Sequence, residues 1–147
     1  MRGILINPNT KTITEIELSE VIDTLTAMRR SLTIADPAFS GTVELLRLTP
    51  RADLWFDEEG NMSAGRAVFN FNGAPIVGAA LVLGHADGET VGLNKNITIQ
   101  GIEVLTAWTD LVTTGEFTQG RTEDTPHGFV IHAGKPVHIR REQPAAE

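Results

Sequence analysis

Three histidines, His127, His132 and His138, fall in one short segment just behind Glu123 and Asp124. Imidazole and carboxylate are the ligands that zinc and related ions prefer. The four and then five intervening residues match neither an i, i+4 pair on a helix nor a named metal site, so the residues read as exposed or edge-strand histidines. No metal ligand is assigned, and a metal-dependent hydrolase stands only as an alternative reading. The consecutive carboxylates Asp57, Glu58 and Glu59 could do acid–base work if one of them sat in an apolar pocket. Their setting, before Gly60-Asn61, reads instead as a solvated hairpin tip that keeps a sheet edge soluble. Asp87-Gly88-Glu89 lacks the further acidic positions and the closing glutamate of a calcium loop.

Fourteen glycines could cradle a phosphate, but neither a P-loop nor a dinucleotide fingerprint occurs. Backbone N–H groups around Gly88, beside Arg66 or Lys95, could still hold a nucleotide anion. Ser19, Ser31, Ser40 and Ser63 stand in no nucleophile elbow. Lys135, Arg140 and Arg141 form a small basic end, and Phe129 could stack on a base; three charges supply only modest affinity for a single strand. Trp55 beside the acidic triplet would anchor a partner if it is exposed.

These residues must be positioned by recognisable elements. Gly3 to Ile6 reads as a strand, Asn7-Pro8-Asn9-Thr10 as a turn, and Thr12 to Leu18 as a half-exposed second strand. Leu18, Val21, Ile22, Leu25, Met28 and Leu32 recur at helical steps, predicting a long amphipathic helix over Ser19–Leu32 with Ser19 as its N-cap. Strands are expected over 42–48, 52–56 and 67–71. The doubly apolar run Ile76–Leu83 reads as a central strand covered on both faces, followed by a turn at Asp87-Gly88. Ile102, Leu105 and Val112 predict a second, shorter helix over Gln100–Val112, against the grain of its threonines. Residues 115–128 read as a loop, and 129–132 with 137–140 as a terminal hairpin turning at Ala133–Pro136.

The fold class expected is therefore α+β, a mostly antiparallel sheet packed by one long amphipathic helix and a second shorter one. A chain of 147 residues fits a single globular domain over 1–141, with 142–147 as a frayed tail. The absence of cysteine excludes disulfides, thiolate metal sites and a cysteine nucleophile. No long apolar run marks a signal peptide or a membrane span. A net charge of −7 argues against duplex DNA as a partner. That charge is uneven: residues 84–124 alone carry seven acidic and two basic side chains, whereas the carboxyl end is locally basic.

The opening Gly3-Ile4-Leu5-Ile6-Asn7-Pro8, continued by Thr12-Ile13-Thr14-Glu15-Ile16, resembles a small domain family found in phage, prophage and plasmid genes and known only as a domain of unknown function. Leu54 to Gly60 and the strand Ile76 to Gly84 with its Asp87-Gly88 turn are similar to later parts of that family, so the likeness covers roughly residues 1–93. Asn7 stands where the family more often has aspartate. The resemblance implies a mobile-element protein in a bacterial cytoplasm with an interaction role. The expectation is a non-enzymatic protein without cofactor that binds the basic patch of a host protein and so inhibits a host defence system. The surface expected to do so comprises Trp55, Asp57, Glu58, Glu59, Asp87 and Glu89. The alternative is a binder of small nucleotides using Arg66, Lys95 and Gly88, and self-association is open in either case.

Overall fold

The computed structural model describes residues 1–114 and, as backbone strands only, 121–125, 128–132 and 139–141. The architecture is α+β, and every described strand pair is antiparallel. Strand β1 (Arg2–Asn7) turns through an Asx turn, in which Asn9 N–H donates to Asn7 Oδ1 at 3.0 Å, and returns as β2 (Thr12–Glu17). Helix α1 (Thr24–Ala35) follows. Next come the hairpin β3 (Val43–Thr49) and β4 (Ala52–Asp57), a short 3₁₀ turn, and the hairpin β5 (Ala64–Phe71) and β6 (Ala74–Val77). The chain then forms the hairpin β7 (Ala80–Ala86) and β8 (Glu89–Val91), helix α2 (Ile99–Leu105) and strand β9 (Thr106–Thr114). Strands β10 (Arg121–Thr125), β11 (Gly128–His132) and β12 (Ile139–Arg141) complete the described chain.

The larger sheet runs β2-β1-β7-β4-β3, with β8 paired to the far end of β7. A second sheet runs β12-β9-β5-β6, and β10 pairs with β11. Period-two alternation sorts the side chains of the larger sheet into two cores. Ile4, Ile6, Leu54, Ala80 and Val82 point one way and pack with Phe69, Phe71 and Ile76 of the second sheet. Leu81 and Leu83 point the other way, under Ala27, Met28 and Leu32 of α1. The larger sheet is thus the middle layer, and β7, buried on both faces from Ala80 to Gly84, is its spine.

Several sequence readings need correction. The first helix is not long: it begins at Thr24, because Asp23 rather than Ser19 caps it, accepting from Thr26 N–H at 2.9 Å. Leu18 is buried ahead of the helix and Val21 is 96% exposed, so the periodic run was partly coincidence. The second helix stops at Leu105, and its threonine-rich continuation is strand β9, paired with β5. The run Ile76–Leu83 is two strands in two sheets, broken at Gly78, which has φ +76°. Asp57-Glu58-Glu59 is not a hairpin tip; it lies where the chain leaves one sheet for the other. Phe129–His132 pairs with β10, inside the expected loop, whereas Ile139–Arg141 pairs with β9. The expected turn at 133–136 and the tail 142–147 lie outside the described residues. No helix among the described residues is long and apolar enough to cross a membrane.

Candidate functional site

Strand β4 presents Asp53, Trp55 and Asp57 in succession to the helix side of the sheet, because alternate residues share a face. Each marks a different environment. At one end, Asp57 is buried and joined to Arg66 by a 3.0 Å hydrogen bond from Nη1 to Oδ2. Arg66 Nη2 donates to Asp36 Oδ2 at 2.8 Å, and all three side chains are at most 5% exposed. The surplus negative charge is met by backbone donors: Ala79 N–H on Asp36, and Ser40 and Glu59 N–H on Asp57. The cluster therefore joins the C-cap of α1, the end of β4, β5 and the β6–β7 crossing. It is a structural lock: among the described residues, each oxygen of the two carboxylates already accepts a hydrogen bond.

In the middle, Trp55 is half-buried in a groove of about 520 Å³ between α1 and the β3–β4 edge. Thr24, Leu25, Met28 and Arg29 form the helical wall, Thr42 and Val43 line the strand side, and Glu58 stands at one end. The indole Nε1–H is sealed from solvent, and no acceptor reaches it among the described residues. An unmet donor of this kind costs roughly 1–3 kcal/mol.

At the other end, buried Asp53 receives Arg47 Nε on Oδ1, while His85 Nδ1 lies 3.4 Å from Oδ2. That separation suits an ion pair when the imidazole is protonated, but Oδ2 has no hydrogen bond. His85, 21% exposed, borders a cleft of about 530 Å³ shared with Pro50, Arg51, Asp87 and Asn94.

The residues expected to bind a partner therefore separate. Glu58 and Glu59 are exposed at one end of the sheet, whereas Asp87 and Glu89 are exposed on the β7–β8 turn at the other. With Phe56 opposite Ala80 and Ala52 opposite Gly84, the two acidic sites lie roughly 25–30 Å apart along the strands. Asp57 leaves the acidic surface altogether. Of the residues expected to bind a nucleotide, Arg66 is consumed in the lock, whereas Gly88, at φ +78°, and exposed Lys95 flank the residues of the His85 cleft. The sequence reading missed Asp36, Asp53 and His85. The strict alternation Ala52/Leu54/Phe56 against Asp53/Trp55/Asp57 was the available signal that two aspartates face inward.

Among the described residues, no group of three or more histidine, aspartate or glutamate side chains could hold a metal ion. His127 and His138 lie outside the described residues, and His132 is placed only as backbone of β11. Comparison of the chain with protein-family models, with curated proteins and with solved structures finds no match.

Proposed function

We propose that this chain is a binding protein rather than a catalyst, and that its partner is a host protein bearing a basic segment with an apolar tip. Trp55 carries this reading: a half-buried indole lines an open groove whose far end holds an exposed carboxylate, Glu58. The apolar tip would pack on Trp55, Met28 and Leu25. Glu58 and Glu59 would steer the approach of positive charge. The mobile-element setting, and interference with a host defence system as its purpose, rest on the resemblance of residues 1–93 to the phage and plasmid domain.

Affinity capture from bacterial lysate with wild type, Trp55→Phe and the double variant Glu58→Lys/Glu59→Lys tests the reading. The expected result is a retained protein that elutes as salt rises, that the charge-reversed variant fails to hold, and that Trp55→Phe holds more weakly. Retention that ignores salt and both changes would refute it.

A second reading, binding of a small nucleotide, is favoured by one observation: Arg51, His85 and Asn94 line a single cleft next to Gly88 and Lys95. Thermal-shift measurements with mononucleotides and cyclic dinucleotides decide it. Stabilisation at ligand excess that is lost in Arg51→Ala supports this reading, and no shift with any of them removes it.

A further inference from the structure

Strand β3 ends the larger sheet, and among the described residues nothing pairs with its outer side. The phase of its ladder follows from one bond outside the strand proper. Glu58 N–H donates to Thr42 O at 3.1 Å, so Thr42 and Glu58 form a hydrogen-bonded pair. Alternation then makes Glu44–Phe56 and Leu46–Leu54 bonded pairs and leaves Val43, Leu45 and Arg47 in the intervening positions. The far side of β4 agrees with this phase, since His85 N–H donates to Arg51 O at 2.8 Å. Val43, Leu45 and Arg47 therefore direct their backbone N–H and C=O groups outward, away from β4.

The side chains on this edge are unusual for one left bare. Leu45 and Leu46 are 42% and 39% exposed. Being adjacent in a strand, they project from opposite faces of the sheet. The segment 43–47 contains neither proline nor lysine, the common guards against edge-to-edge pairing. The register shift that could twist the edge away comes only between Arg47 and Thr49. A body resting on one face would cover one leucine. An extended strand in line with β3 covers both.

We propose that β3 pairs antiparallel with β3 of a second copy of this chain, about a two-fold axis through Leu45. A two-fold axis normal to the sheet keeps the faces matched, and this centre brings all three outward residues into bonded pairs. Leu45 meets Leu45 of the second copy, and Val43 meets the stem of the other copy's Arg47. Glu44 lies beside the second copy's Leu46. Centring on Glu44 or Arg47 would instead oppose like charges, and centring on Leu46 would run the pairing into the register shift. Arg47 keeps Asp53 as its counter-ion throughout. The two larger sheets become one continuous sheet.

Sedimentation equilibrium of the full chain should show a concentration-dependent dimer. Leu45→Pro deletes only an outward N–H, and Leu45→Lys sets two ammonium groups face to face. Each is expected to raise the dimer dissociation constant on the order of tenfold or more, with circular dichroism unchanged. Register is read by cross-linking, because the chain has no cysteine of its own. In Leu45→Cys the two thiols sit on directly opposite residues, within disulfide reach, whereas in Val43→Cys they lie roughly 13 Å apart along the edge. Mild oxidation should link the first variant and not the second. A wild-type chain that remains monomeric at every concentration, equal cross-linking of the two variants, or a dimer untouched by Leu45→Lys would overturn the proposal.

Discussion

Arg66 Nη1 donates to Asp57 Oδ2 at 3.0 Å with both side chains sealed from water, and the other arm of the same guanidinium holds Asp36. Buried charge is costly unless it is fully paired, and here one cation serves two carboxylates from separate elements. Truncation to Arg66→Ala would strand both carboxylates in the interior and is expected to cost about 3–5 kcal/mol. Arg66→Lys keeps the charge but loses the planar fork that reaches two partners at once, so its cost should be intermediate. Urea denaturation of the three proteins measures this. An Arg66→Ala variant as stable as wild type would show that the lock contributes nothing.

Gly78 tests the same cluster from the backbone side. Its φ of +76° already disfavours a side chain, and a Cβ there would collide with Arg66 Nη2 and Asp36 Oδ2. Gly73 has a similar φ of +85°, but a Cβ on it would meet no atom within 4 Å. Gly73→Ala should therefore cost about 1–2 kcal/mol of left-handed strain alone, and Gly78→Ala clearly more, because the ion cluster must also shift. Thermal unfolding of the pair separates the contributions. Equal losses would mean that the cluster yields freely.

Much of this arrangement was legible where local and tertiary preferences agree. The β1–β2 hairpin and the Asp87-Gly88 turn follow from residue type: Asp87 at φ +52° and Gly88 at +78° supply the backbone that a tight hairpin requires. Errors arose where two local solutions compete. Ser19 and Asp23 are both cap chemistries; Ser19 Oγ accepts from Val21 N–H in a loop turn, and Asp23 starts the helix. From Ile99 onward the apolar spacing suits a helix, but Thr109 gains an acceptor at Val68 O and Thr113 one at Ser63 O only as part of a strand. Asp57 misled for a different reason. A run of three acids reads as surface, and the cation that justifies burying its first member lies nine residues away on a strand of the other sheet.

The cap of α1 makes stability depend on acid in a defined direction. The Thr26 hydroxyl and then the Thr26 N–H donate to the Asp23 carboxylate and hold its pKa below the ordinary value of 3.8, with Arg29 adding a smaller pull. A carboxyl whose pKa is lower folded than unfolded stabilises the fold above the unfolded value. That contribution fades as pH falls through the folded value. Asp23→Asn keeps a capping acceptor but cannot ionise, whereas Asp23→Ala loses the cap at every pH. The melting temperature of wild type should exceed that of Asp23→Asn by a constant margin above about pH 5, about one unit clear of the ordinary carboxylate range. Below pH 3.8 the margin should shrink toward zero. Asp23→Ala should melt below Asp23→Asn across the whole range. A wild-type margin that grows on acidification would reverse the sign of the linkage and exclude the Thr26 bonds as its source.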